Sequence, residues 1–145
     1  MAKSVSSERL GESVTGVPSG FDDLDKLTLG FQPSELTIVA ARPSMGKTAF
    51  VLNVAQNAAY YGKTAVALFS LEMAKEQLVT RMLAAEGWVD AQKQRSGKLT
   101  DDDFRNLAKA SGILGTLPIW IDDTPGLSIL EIRSRCRRLK AENNI

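Results

Sequence analysis

Residues 41 to 48 read ARPSMGKT. Gly46-Lys47-Thr48 ends the pattern G-x-x-x-x-G-K-[ST], which holds a nucleotide's phosphates. The chemistry is mostly backbone geometry. Successive N–H groups turn inward as an anion nest, and the helix that starts there adds its positive end. Gly46 lets the backbone approach the phosphates closely. The Lys47 ammonium reaches the β- and γ-phosphates, and the Thr48 hydroxyl goes to Mg²⁺, which keeps most of its own waters. The pattern asks for glycine at position 41, where this chain has Ala41. That position is the exit from a strand, and a small residue with an ordinary backbone angle serves there. The candidate phosphate-binding set is therefore Ala41, Arg42, Pro43, Ser44, Met45, Gly46, Lys47 and Thr48. A bare GKT also arises by chance, so the competing reading is a helix start with an incidental lysine.

A second candidate is Glu72 in FSLEM (69–73). The residues alone read equally as a carboxylate that orients an attacking water and as a helix-start acid favoured by the helix dipole. Other groups read structurally. Arg133, Arg135, Arg137, Arg138 and Lys140 suit a solvated helix face near a negative C-terminal end better than a phosphate patch. Asp122 and Asp123, in DDTPG, are expected to shape a turn and cap backbone rather than bind metal. Trp88 and Trp120 read as packing residues, and Cys136 as a small core residue. The chain has no histidine and one cysteine. That excludes an intrachain disulfide and Ser-His-Asp or Cys-His catalysis within the chain, and it argues against a Cys/His zinc site. Acid–base work falls to carboxylates, Lys, Tyr or water, and the scarcity of thiol suits a reducing cytoplasm.

The phosphate motif requires a strand before it and a helix after it, and the pattern supplies both. ELTIVAA (35–41) is a continuous apolar run read as a buried strand. KTAFVLNVAQNAAYYG predicts a helix with Phe50, Val51, Val54, Ala55, Ala58 and Ala59 on its apolar face, stopped by Gly62. KTAVALFS (63–70) is a second strand, so strand, helix and strand have the length of a βαβ unit. FDDLDKL (21–27) predicts a short helix ended by Gly30. AKEQLVTRMLAAEG (74–87) predicts a helix with Leu78, Val79, Met82 and Leu83 inward. Thr100 is the expected N-cap of DDDFRNLAKASGIL, with Phe104, Leu107, Ala108 and Ser111 inward. PIWID (118–122) is a third strand and DTPG a turn. Ser128 and Glu131 form a capping box opening a last helix with Ile129, Ile132, Cys136 and Leu139 inward. Residues 1–17 read as a linker or flexible arm and 18–145 as one folded unit.

The bulk properties fit a single globular domain: 145 residues, 43% hydrophobic and 24% charged. A net charge of +1 provides no global field toward nucleic acid or membrane. No apolar run has membrane-spanning length, and MAKSVSSERLGES is no signal peptide.

Three blocks, VPSGFDDLDKLTLGFQPSELTIVAARPSMGKT, FSLEM and IDDTPGLSILEIRSRCRRLK, occur in this order and resemble the ATPase domain of DnaB-type replicative DNA helicases from about Val14 onward. The first block is shared in looser form with RadA- and KaiC-like ATPases, whereas FSLEM and IDDTPG favour the helicase. A non-catalytic nucleotide-binding or subunit-interaction module is the other alternative. The resemblance implies an α/β, RecA-like P-loop NTPase fold, a parallel sheet flanked by helices. It also implies ATP with Mg²⁺, a homohexameric ring and 5′-to-3′ DNA unwinding. Single-stranded DNA and a primase or loader would be partners, in the cytoplasm and away from membranes. It favours the water-orienting role for Glu72 beside Lys47. In that family the acidic Walker B strand follows the helix that ends near Asn143, and the arginine finger and DNA-binding loops lie further on. The chain is thus expected to be the first half of the ATPase domain, truncated before the Walker B strand and inactive as a helicase alone. Such a sheet leaves unpaired edges and an uncovered apolar face.

Overall fold

The structure is a computed structural model that describes residues 14–143. The proposed arm falls largely on residues 1–13, outside the described residues, while its last part is bonded: Val17 and Phe31 form an antiparallel bridge, with N–H···O distances of 2.9 and 2.8 Å. The chain divides between Thr64 and Ala65 into two compact units.

The first unit holds α1 (Asp22–Thr28) and α2 (Lys47–Tyr60). The segment before α1 folds back on it. The buried Asp25 carboxylate accepts from the Ser19 and Gly20 amides at 2.8 and 3.0 Å, and the Ser19 hydroxyl accepts from the Phe21 amide at 3.1 Å. A buried carboxylate holding two amides is satisfied rather than costly. Asn57 on α2 donates to the Ser19 carbonyl at 3.0 Å, and the Phe21 ring stacks on Phe50 with centroids 5.2 Å apart. Gly20, at φ +78°, is required here, since a Cβ would lie 2.3 Å from the Asn57 side chain. The helix α2 buries Leu52, Ala55, Gln56, Ala58 and Ala59. Val51, expected inward, lies at the exposed border, and Leu52 takes its place.

The expected strand over 35–41 does not form. Leu36 and Ile38 are 86% and 80% exposed, and no described residue forms a ladder with the segment. A strand exists only through the ladder it shares with a neighbour. Its apolar run forecasts burial, but none of the described residues covers it. The βαβ unit read from 35–70 is therefore not present.

The second unit contains β1 (Val66–Phe69), α3 (Lys75–Gly87), α4 (Ala91–Ser96), α5 (Asp101–Leu114), β2 (Ile119–Asp122) and α6 (Ile129–Asn143). The strands are the second and third expected from the sequence. They pair in parallel from Val66 opposite Ile119 to Phe69 opposite Asp122. Bonds from Val66 to the Pro118 carbonyl and from Ser70 to the Asp122 carbonyl, both 2.9 Å, extend the ladder. Helix α3 packs on α5, burying Leu78, Met82 and Ala84 with Ala110.

The expected Ser128–Glu131 capping box is present, and the expected N-cap Thr100 forms one too, with Asp103. On α3, Val79, expected inward, is 40% exposed, and the faces of α5 and α6 differ further from expectation. On α5 the inner stripe is Leu107, Ala110 and Leu114, while Phe104 is 58% exposed and Ala108 and Ser111 face solvent. Docking on α3 selects the stripe with the small residue at closest approach. On α6 the half-buried stripe is Ile132, Arg135 and Leu139, while Cys136 is exposed and Ile129 is 84% exposed. Arg135 takes the inner place because its guanidinium pairs with Asp122. Trp88 is 79% exposed, so it does not pack as expected, whereas Trp120 is half-buried in β2. Among the described residues no helix is long and apolar enough to cross a membrane.

Candidate phosphate-binding site

The loop leads into α2 without a side-chain cap. Ser44 and Gly46 take left-handed backbone angles, φ +64° and +91°, and the Met45 amide bonds the Arg42 carbonyl at 3.3 Å. Left-handed residues between right-handed ones turn consecutive amides to one side, the geometry of an anion nest. A Cβ at Gly46 would meet nothing within 4 Å, so the space beside it is open, and glycine serves the backbone angle. Ala41 does not have a positive φ, so alanine fits where the strict pattern has glycine.

Lys47 is the first residue of α2, and no acidic residue stands in that helix's first turn. The positive helix end is therefore not neutralised locally. Arg42, Pro43, Ser44, Met45 and Lys47 are exposed and Thr48 is half-buried. These features fit a polyphosphate. The Thr48 hydroxyl suits Mg²⁺, whose remaining shell is water and phosphate oxygen.

A family model for the DnaB-like helicase C-terminal domain matches residues 16–145. The chain belongs to that family. This DnaB-like segment is 56% identical over 132 residues to the replicative DNA helicase DnaC of Bacillus subtilis (strain 168), covering 91% of this chain and 29% of that protein. It is 55% identical to the replicative DNA helicase DnaB of Geobacillus stearothermophilus, again with 29% of that protein covered. Among solved structures, a separately determined ATPase domain superposes with a TM-score of 0.85 at 38% identity, covering 90% of this chain and 46% of that one. A DnaB-like replicative helicase, described with its interactions with primase, gives 0.86 at 38% identity, covering 90% of this chain and 32% of that one. The DnaB-like segment is thus part of a RecA-like ATPase domain, and it spans under a third of the curated relatives it matches.

Glu72 of the DnaB-like segment lies in the second unit, on an exposed turn between β1 and α3. Ser70 shapes that turn: its hydroxyl donates to the Met73 carbonyl at 2.6 Å and accepts from the Met73 amide at 3.2 Å. The two aspartates at the end of β2 diverge as turn and cap residues. Asp122 accepts from the Thr124 hydroxyl and amide at 2.7 and 3.0 Å and from the Arg135 guanidinium. Asp123 accepts from the Lys75 amide at 3.0 Å. Arg133, Arg137, Arg138 and Lys140 are solvated, leaving Arg135 as the exception in the basic run. Sequence reasoning missed α4, although its signals were present: Asp90 accepts from the Gln92 amide as N-cap, and Gly97 closes the helix in the left-handed region.

The Thr124 hydroxyl, then Arg135, then the Thr124 amide lower the Asp122 pKa from 3.8 to about 2. The Ser128 hydroxyl and amide hold Glu131 below its ordinary range, and the Thr100 amide and hydroxyl do so for Asp103. A carboxyl depressed in the fold takes up its proton more readily when unfolded. Its stabilisation is present above the unfolded pKa and lost as pH falls through the folded one. Melting temperature, followed by circular dichroism, is therefore expected to fall as pH drops from about 5 to 2. Asp122→Asn should melt below the parent at neutral pH, with the gap closing toward pH 2. A constant gap across that window would show that Asp122 does not carry the dependence.

Proposed function

We propose that this chain is the ATP-binding part of a replicative DNA helicase that assembles as a hexameric ring and couples ATP hydrolysis to 5′-to-3′ unwinding. The observation that carries the reading is the open turn with Ser44 and Gly46 left-handed, leading to Lys47 at the start of an acid-free helix end, in a DnaB-like chain. Residues 18–145 are the first half of the ATPase domain, and residues 1–17 lead into it. The amides of 42–47 and the Lys47 ammonium bind and neutralise the phosphates. The Thr48 hydroxyl would hold Mg²⁺, which would supply neutralisation of phosphate charge. The Glu72 carboxylate orients the attacking water and accepts its proton as the bond from water oxygen to the γ-phosphorus forms. The bond from that phosphorus to the β-phosphate oxygen breaks, so that ADP leaves with the electron pair and inorganic phosphate is released.

Unwinding is assigned to the full-length ring rather than to this segment, because the chain spans 29% of its relatives' length. Single-stranded DNA, further copies of the protein and a primase or loader are the partners in this reading, and the cytoplasm is its location. A solved DnaB-like neighbour is itself described with primase.

The test uses full-length protein carrying this segment, Mg²⁺ and forked DNA with a 5′ or a 3′ single-stranded loading tail. Strand separation is expected with ATP and a 5′ tail, and not with a non-hydrolysable analogue. Unwinding from the 3′ tail alone, or with the analogue, would overturn the assignment.

A further inference from the structure

The turn that carries Glu72 is fixed at both ends by two consecutive residues, the last of β2 and the one after it. At its start, the Ser70 amide donates to the Asp122 carbonyl at 2.9 Å. At its end, the Lys75 amide donates to the Asp123 carboxylate at 3.0 Å. Between these points Ser70 closes the turn through Met73. The first amides of a helix have no partner within the helix, and a side-chain oxygen at the N-cap ordinarily takes one. The N-cap of α3 is Ala74, which has no such oxygen and makes no side-chain cap. Asp123 supplies that oxygen from 48 positions away.

We propose that Asp123 is a positioning residue for Glu72, capping α3 from the end of β2 and so tying the Glu72 turn to the sheet. The proposal rests on the reading of Glu72 as the water-orienting carboxylate. A carboxylate on an exposed turn has many orientations, and only a few place it against the attacking water. Anchoring both ends of the turn removes most of them, which is how a distant contact acts on turnover. An effect confined to the reacting geometry lowers kcat and leaves the KM for ATP in place.

The test measures steady-state ATP hydrolysis by the full-length ring, with kcat and KM resolved and melting temperature recorded for each variant. Asp123→Ala is expected to lower kcat roughly 10-fold or more, with KM within about 2-fold. Asp123→Asn keeps an oxygen that accepts the Lys75 amide and should stay within about 3-fold of the parent. Combining Asp123→Ala with Ala74→Ser separates tethering from helix stability. Ala74 has the extended angles of an N-cap, φ −63° and ψ 146°, so serine there caps α3 locally without reaching β2. That double variant should recover melting temperature and keep the low kcat, and it carries the test if Asp123→Ala alone does not fold.

Parent-like kcat in Asp123→Ala, or recovery of kcat in the double variant, overturns the proposal. So does Asp123→Asn as slow as Asp123→Ala, which would make charge the active property. Glu72→Gln serves as the reference. If it hydrolyses ATP normally, the reading of Glu72 falls and the positioning role with it. If it is slow while Asp123→Ala is normal, only the positioning role falls.

Discussion

Replacing Glu72 by glutamine in the assembled full-length ring is expected to cut ATP turnover by about 100-fold or more, the scale of losing a positioned general base. ATP affinity should stay within a few-fold of the parent. The distinction follows from the assigned chemistry. A group that orients water and takes up its proton acts on the transition state, whereas the phosphates are held by other residues. Glutamine preserves the size of the side chain and can still hydrogen-bond, but it cannot accept the proton. Unwinding should fall in proportion, since the proposed ring draws on ATP alone. The check is steady-state hydrolysis alongside equilibrium nucleotide binding. Near-parent turnover would leave Glu72 as no more than an acid near the start of α3.

Lys47→Ala should fail in the opposite manner, through binding. In the proposed site the Lys47 ammonium, at the first position of α2, would meet phosphate, where a charged hydrogen bond contributes about 1.5–3 kcal/mol. Removing it should weaken ATP roughly 10- to 150-fold. Calorimetric titration of the folded variant decides this, and equal affinities would discard the loop as the phosphate site. The helix end and the backbone amides remain in the variant, which is why residual binding is expected. A shared fold defect would weaken both proteins together, so the Glu72 variant provides the comparison.

Local signals were the legible ones. The Thr100 N-cap, the Ser128–Glu131 capping box, the turn at Pro125-Gly126 and the strands at 66–69 and 119–122 all rest on residues close in sequence or on short apolar runs, and they stand where expected. At the proposed phosphate loop, Gly46, Lys47 and Thr48 stand at the start of α2 as the motif requires, and Ala41 has no left-handed angle that would call for glycine. What failed was anything decided by a distant partner. The run 35–41 looks like a strand by composition, yet a ladder is a property of two segments. The inner faces of α5 and α6 were each misplaced, because Ala110 was chosen by the approach of α3 and Arg135 by its pairing with Asp122. The role of Asp123 was half legible: a backbone cap was expected, but its recipient is 48 positions away.

That separation also orders events in time. A helix with a serine or aspartate before it can close its first turn as soon as those few residues exist. Helix α3 closes its first turn on the Ala74 carbonyl, which accepts from the Gln77 and Leu78 amides, but Ala74 has no side-chain oxygen, and the side-chain cap arrives only with the residue after β2. Bringing such distant positions together is a slow, entropically costly step in folding, in contrast to the fast local closure of a helix. The Lys75 amide therefore gains its side-chain partner only once β2 has docked beside β1. On a ribosome, Glu72 emerges about fifty residues before Asp123, so the tether proposed for its turn can form only after that much further chain has followed.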